Sequence, residues 1–288
     1  MIREYFRRAY RAAVPLLYSR SQYKLFMATA LGDLDLRRQQ LASVTDYFAS
    51  SVWPIRIRAP FGKSMLVVAP HQDDETIGCG GALALQVRSG NAAAIVIVQD
   101  GADGHEELGI PRQTLVDLRN EESRRAAAVL KLEPRFLNHA RLRENIARAA
   151  EELRSILTER KVDAVFTPFL LDGHPDHRTT NEILAVALQK TPWDVRVFGY
   201  EVWGLCIPNV LLIIDEVIDE KLEMLSCFTF ANKAIDYVHT TKGLNMYRSR
   251  LLGAGECRYA ECFFEIPRVE FIELVNRIRD VGANGLKG

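Results

Sequence analysis

The sequence predicts an α/β fold, a Rossmann-like, mostly parallel sheet flanked by helices. Three observations carry that expectation. Apolar runs of strand length alternate with helix-period segments from Ser64 to Leu188. Such alternation implies parallel pairing with right-handed crossovers. Two of the apolar runs end in dense polar clusters, and ligands in open α/β sheets bind outside the carboxyl ends of the strands. Finally, 48% hydrophobic and 26% charged residues over 288 positions give an ordinary globular composition with an ample core.

Taken in order, residues 1–60 read as an N-terminal helical arm and 61–288 as the α/β domain. In the first 24 positions Arg3, Arg7, Arg8, Arg11, Arg20 and Lys24 face only Glu4. Tyr5, Phe6, Tyr10 and Leu16 to Tyr18 make that stretch amphipathic. Packing on its own domain or on a neighbouring subunit, as in a homo-oligomer, is the first reading. Peripheral contact with an anionic membrane is the second, because basic amphipathic helices do this. A second helix is expected over Leu34–Phe48.

Ser64–Ala69 is a continuous apolar run and reads as a buried strand. Gly81–Ser89 reads as helix and Ala92–Val98 as strand. Thr114–Leu130 is a long helix with Leu115, Leu118, Ala126 and Leu130 as its apolar positions. Phe136–His139 is a short strand. Leu142–Arg160 has Ile146, Ala149, Ala150, Leu153, Ile156 and Leu157 on one helical stripe. Val162–Pro168 is a strand, Thr179–Leu188 a helix, and Val195–Tyr200 and Val210–Ile214 are later strands. Asp215–Phe228 looks helical. From Tyr247 to Val269 the chain reads as helix and then a strand at Glu261–Ile266. Gly101–Gly109 and Asp236–Gly255 read as loops near the site.

Composition also excludes some roles. Lys+Arg and Asp+Glu both number 37, so there is no basic excess for a nucleic-acid partner. The five cysteines are odd in number and contain no Cys-x-x-Cys, which argues against a disulfide or zinc-ribbon framework. A reducing, cytoplasmic setting is the expectation. No run of about 18 apolar residues suggests a transmembrane helix, and Ala12–Tyr18 makes a poor secretory signal.

The chemistry sits in the two clusters. The first is His71-Gln72-Asp73-Asp74-Glu75, directly after the Ser64–Ala69 run. Three adjacent carboxylates repel one another and resist burial. A cation relieves both problems, and imidazole with carboxylate suits zinc, with other divalent metals open. His71 and Asp74 are three apart across a strand-to-helix turn, so both can face one point. The second cluster, Asp172-Gly173-His174-Pro175-Asp176-His177, occupies the equivalent end of another strand. His177 completes a His–Asp–His set of the kind that leaves one position open for catalysis. The competing reading makes His71 a helix cap and Asp74 a carboxylate favoured by the helix dipole.

Together the two motifs resemble those of the PIG-L deacetylases, the LmbE-like proteins. That family's signatures are His-Pro-Asp-Asp-Glu after a strand and His-Pro-Asp-His about a hundred residues on. Here Gln72 replaces the usual proline, a change in loop stiffness that leaves the candidate metal and acid–base positions intact. Cys79-Gly80-Gly81, Asp100-Gly101 and Arg119-x-x-Glu122 also match, and the resemblance spans about residues 64 to 265.

The resemblance implies a zinc-dependent hydrolase that removes the acetyl group from an N-acetylglucosaminyl-type sugar or a conjugate of one. It implies general-base duty for Asp73, which would otherwise be a residue holding His71. His174 would stabilise the oxyanion as a protonated imidazole, with Asp176 as the partner that keeps it charged. A fourth metal ligand is the other reading of His174. Glu75 reads best as a helix N-terminal carboxylate that orients the loop. Arg119 is a candidate substrate contact, with an ion pair to Glu122 or a nearby acid as its alternative. Asp172 is a candidate substrate contact on the approach to the second motif. Two rival functions remain on the same scaffold: a metal-dependent hydratase or lyase, and a non-catalytic sugar-binding protein. Acetate release separates the deacetylase from the first.

Overall fold

The computed structural model describes residues 54–253 and 255–284. Eight strands form one sheet in the order β1-β7-β8-β6-β5-β2-β3-β4. The strands are β1 (Ile55–Ile57), β2 (Ser64–Ala69), β3 (Ala92–Gln99), β4 (Arg135–His139), β5 (Ala164–Pro168), β6 (Arg196–Tyr200), β7 (Val210–Ile213) and β8 (Ala260–Pro267). Every pairing is parallel except those of β8, which runs antiparallel to both β6 and β7. The main helices are α1 (Asp74–Arg88), α2 (Arg112–Ala128), α3 (Ile146–Glu159), α4 (Pro175–Gln189), α5 (Ile218–Ser226), α6 (Thr229–Asn232), α7 (Tyr237–Ser249) and α8 (Arg268–Asn284).

The expected helical arm lies outside the described residues up to position 53, as does the expected Leu34–Phe48 helix. Its last residues depart from the expectation, because Ile55–Ile57 is the edge strand β1, paired with β7. Among the described residues no helix is long and apolar enough to cross a membrane.

The pleat divides the core in two. Leu66 and Val68 of β2 point into a layer with α3, α4 and α8, through Leu153, Ile156, Leu184 and Phe271. Met65, Val67 and Ala69 point the other way, against Leu83 of α1, Ala126 of α2 and Met224 of α5. Burial on both faces is why β2 is apolar throughout rather than alternating. On the second face Phe166 stacks on Phe198 with ring centroids 4.5 Å apart and meets Phe61 and Phe263 edge-on. Truncating such a side chain to alanine costs about 3–5 kcal/mol.

This topology fixes the place of the site. The chain runs outward from β2 through β3 to β4, then returns to lay β5 on the other side of β2. The order of strands therefore reverses between β2 and β5, the switch point where open α/β sheets bind ligands. Met65 pairs with Ala164 and Val67 with Phe166, so the two strands end at the same level. Their following loops, which carry the two polar motifs, are left side by side.

The segment 236–255 departs from its expected loop. Most of it is helix α7, whose buried residues are Thr241, Asn245 and Arg248. A helix that buries polar side chains shows no apolar stripe, so periodicity missed it. Asp236 caps it by accepting the His239 N–H at 2.9 Å.

Candidate active site at the switch point

The first motif turns sharply out of β2 into α1. Asp73 occupies the N-cap position with φ 120°, a left-handed conformation rare outside glycine. Backbone held in such a region costs about 1–3 kcal/mol and concentrates at functional sites. The buried Glu75 carboxylate accepts the Asp73 N–H at 3.1 Å and so steadies this turn. Gln72 pins it from the other side, donating to Asn120 Oδ1 at 2.8 Å and to the Asp100 carbonyl at 3.2 Å. Hydrogen bonds to α2 and to the end of β3 thus supply the stiffness that a proline would lend. A Cβ on Gly101 (φ 73°) would lie 2.0 Å from the Gln72 amide oxygen, so glycine is required beneath it.

The second motif opens α4. His174 is the N-cap residue; its Nδ1 accepts the Asp176 N–H at 3.2 Å, and Pro175 begins the helix. One turn in, His177 is fully buried.

The two loops converge on a cluster of imidazoles and carboxylates. Asp74 Oδ2 lies 3.2 Å from His71 Nδ1 and 3.3 Å from His177 Nε2. Nitrogens of His71, His174 and His177 all lie within 4.8 Å of one another. Neither ring nitrogen of His177 has a well-formed hydrogen bond, although both face carboxylates. Burying an imidazole without hydrogen bonds is costly. A donor set of two imidazoles and a carboxylate, one imidazole orphaned and wholly buried, fits a divalent cation. Asp172 Oδ1, 3.3 Å from His177 Nδ1, stands where a metal-binding histidine is held by its outer carboxylate.

Charge in the cluster is strongly coupled. Burial works against a cationic His71, but hydrogen bonds with Asp176 and Asp74 outweigh it and raise its pKa to about 9. Burial likewise opposes a charged His177, and Asp74 and Asp172 outweigh it to give about 10. Burial also works against an ionised Asp74, yet His177 and His71 hold it well below the usual carboxylate range. Asp73 goes the opposite way. Burial, aided by Asp74 and opposed by Arg119, lifts it to about 7. A carboxylate poised near neutrality is suited to take and return a proton.

Two expectations need correction and a third is narrowed. Asp176 does not serve His174: its Oδ2 lies 3.1 Å from His71 Nε2, and only its backbone N–H meets the His174 ring. Burial first, then the charges of His71 and His177, lower the His174 pKa. Its Nδ1 accepts, so its proton resides on Nε2 and the neutral ring is a donor. Asp172 cannot reach substrate. It is 0% exposed, and its oxygens accept the N–H groups of His174, Trp203 and Gly204 at 2.9–3.0 Å. Arg119 meets its alternative reading, an ion pair with a nearby acid, and that acid is Asp73 and not Glu122. Its guanidinium donates to the carbonyls of Gly101 and Gln72, both at 2.9 Å, and lies 3.7 Å from Asp73 Oδ2. Glu122 instead accepts from Thr229 and Phe230.

Residues 66–188, which hold both motifs, match the family described as PIG-L: GlcNAc-PI de-N-acetylase. This likeness to the PIG-L family spans under half of the chain, positions 66–188 of 288. The family so described is one of deacetylases, which are amide hydrolases. The chain is 27% identical over 165 residues to the uncharacterized deacetylase YaiS of Escherichia coli, covering 54% of this chain and 83% of that one. It is 28% identical over 131 residues to diacetylchitobiose deacetylase of Thermococcus kodakarensis, 43% of this chain and 49% of that one. The fold is similar to the solved N,N'-diacetylchitobiose deacetylase from Pyrococcus horikoshii, with TM-score 0.62, 21% identity, and coverage of 73% and 85% of the two chains.

In this chain the cluster opens into a cavity of about 230 Å³. His71, Asp73, Asp74, His174, Asp176 and Arg119 line it, with Asp103 and Tyr237 from the two segments expected near the site, and Gln99 and Trp203, which sequence reasoning missed. Trp203 follows β6, the neighbour of β5, so the rule of strand carboxyl ends pointed to its loop. Tyr237 opens α7 directly after the Asp236 cap. Burial and then the charges of Asp73 and Asp74 push its hydroxyl pKa up to about 12, so it stays protonated at neutral pH.

Proposed function

We propose that the protein is a zinc-dependent N-deacetylase acting on an N-acetylglucosaminyl-type amino sugar or a conjugate of one. The observation that supports this most is the meeting of His71 and Asp74 in one cavity with Asp73 and His174, while the buried His177 lies behind them, 3.3 Å from Asp74. His71, Asp74 and His177 would hold the cation. When bound, it supplies Lewis-acid chemistry, polarising the amide carbonyl and acidifying water.

The chain's own groups do the rest. The Asp73 carboxylate takes the proton of the attacking water. Arg119 holds that carboxylate from one side and anchors its loop through the Gln72 carbonyl. The Nε2–H of His174 donates to the oxyanion as the carbonyl becomes tetrahedral. Asp73 then returns its proton to the amine nitrogen as the C–N bond breaks, leaving acetate and a free amino sugar. Asp176 restrains the His71 ring and Asp172 the His177 ring throughout.

The test is acetate release from N-acetylglucosaminyl conjugates by protein stripped of metal and then reconstituted with Zn²⁺. Release that depends on added metal and is lost in Asp73→Asn supports the proposal. Addition of water to an unsaturated acid, with no acetate from any acetylated sugar, would replace it with the hydratase reading.

A further inference from the structure

The cavity is small. At about 230 Å³ it lies below the roughly 300–1,000 Å³ that encloses drug-sized ligands, so it has room for little beyond one sugar ring. Anything attached to that ring must cross the rim. Trp203 is part of the lining yet remains 57% exposed, and Leu205, two residues on, is 48% exposed.

The backbone under this exposed indole is fixed. The N–H groups of Trp203 and Gly204 both bond Asp172 Oδ2, whose other oxygen holds the His174 N–H and faces His177. A Cβ on Gly204 would come within 3.1 Å of the Asp172 backbone, so the loop is pressed against the second motif. Its other supports are Glu201, which accepts the Cys206 N–H at 2.8 Å, and Arg248, which pairs with Glu201. An apolar ring is thus held in water on a rigid loop tied to the residue that restrains a metal-site histidine. Preorganisation of this kind reduces the ordering cost of binding.

The chemistry of the rim selects the occupant. Asp103, Gln99, Asp176 and Tyr237 bring hydrogen-bonding groups to the same cavity. Gln99 donates to Asp103 and Asp176 Oδ2 meets His71, but the carboxylates keep further acceptor positions, which a hydroxyl-bearing ligand uses and a hydrocarbon chain does not. A pyranose has both an apolar C–H face and hydroxyl edges, and satisfies the indole and the polar groups together.

We propose that Trp203 is a stacking platform for a second sugar ring joined to the N-acetylated one, so that the protein prefers a disaccharide to a monosaccharide. This rests on the deacetylase reading for its substrate, and binding can be measured apart from turnover. Wild type, Trp203→Ala and Trp203→Phe, each loaded with Zn²⁺, are titrated calorimetrically with N-acetylglucosamine and with N,N'-diacetylchitobiose. Acetate release is followed in parallel.

The expected result is about tenfold weaker disaccharide binding in Trp203→Ala, the scale of one aromatic stacking contact. Monosaccharide binding should weaken far less, and Trp203→Phe should recover most of the loss. KM for the disaccharide should rise by more than kcat falls. Equal losses for both sugars, no loss in Trp203→Ala, or no preference of the wild type for the disaccharide would overturn the platform. Selective binding through Trp203 without acetate release would uphold the platform and overturn the deacetylase reading.

Discussion

The Arg119 guanidinium lies 3.7 Å from the Asp73 carboxylate while two of its N–H groups hold the carbonyls of Gln72 and Gly101. One side chain therefore sets both the position of the proposed base and its charge. Arg119 lowers the Asp73 pKa against burial, which raises it. Removing the cation should move the acidic limb of kcat/KM to higher pH. Arg119→Ala is expected to lose activity most at pH 6–7 and to recover part of it by pH 9. An unshifted limb with a simple rise in KM would return Arg119 to a substrate contact.

Asp73 and His174 should separate cleanly. Asp73→Asn keeps the shape of the loop, should retain metal, and should lose roughly 10²–10⁴-fold in kcat. His174→Ala should lose about 10²–10³-fold, the scale of one oxyanion donor. Because His174 acts as a neutral donor, its removal should leave the basic limb of the pH profile where it was. Kinetics from pH 5 to 10 on both variants check this. A basic limb that disappears in His174→Ala would mean that the imidazolium is the active form.

Metal retention should follow the geometry around His177. His177→Ala removes a buried donor and should abolish stoichiometric metal. Asp172→Asn leaves the donor but weakens its outer support, which usually costs 10–100-fold in affinity. Competition with a chromophoric chelator measures both. Wild-type affinity in His177→Ala would exclude it from the metal-binding set.

The metal-free protein should lose stability as pH rises above 6.5. His71 and His177 have folded-state pKa values of about 9 and 10, above the ordinary 6.5. A raised pKa means that the folded chain binds the proton more tightly than the unfolded one. The resulting stability is complete below 6.5 and is lost as pH climbs through 9 to 10. A cation competes for the same imidazoles and displaces their protons, so its own stabilisation grows over that interval. Tm measured with chelator and with one equivalent of Zn²⁺ should diverge between pH 6.5 and 9.5. A constant difference would show that these imidazoles are not displaced.

The sequence made some parts of the site legible and hid others for physical reasons. His71, Asp74 and His177 could be singled out because strand-end position and donor type are both local properties. The partner of Asp176 could not, since its bond to His71 joins positions 105 residues apart. The role of Asp172 depends on complete burial, which no spacing reveals. Strand β2 was readable because all six of its residues are buried. Helix α7 was not, because it buries Thr241, Asn245 and Arg248. Trp203 reaches the cavity only because β6 lies beside β5.

The reversal of strand order between β2 and β5 has a mechanical consequence. These two strands are interior to the sheet, and the donors at their ends come from motifs a hundred residues apart in the chain. A bound cation therefore works as a clasp across the centre. In the presence of chelator, amide hydrogen exchange should accelerate at the ends of β2 and β5 while the amides paired between β7 and β8 keep their protection. Loosening would then begin in the interior of the fold, the reverse of the usual fraying from the edges.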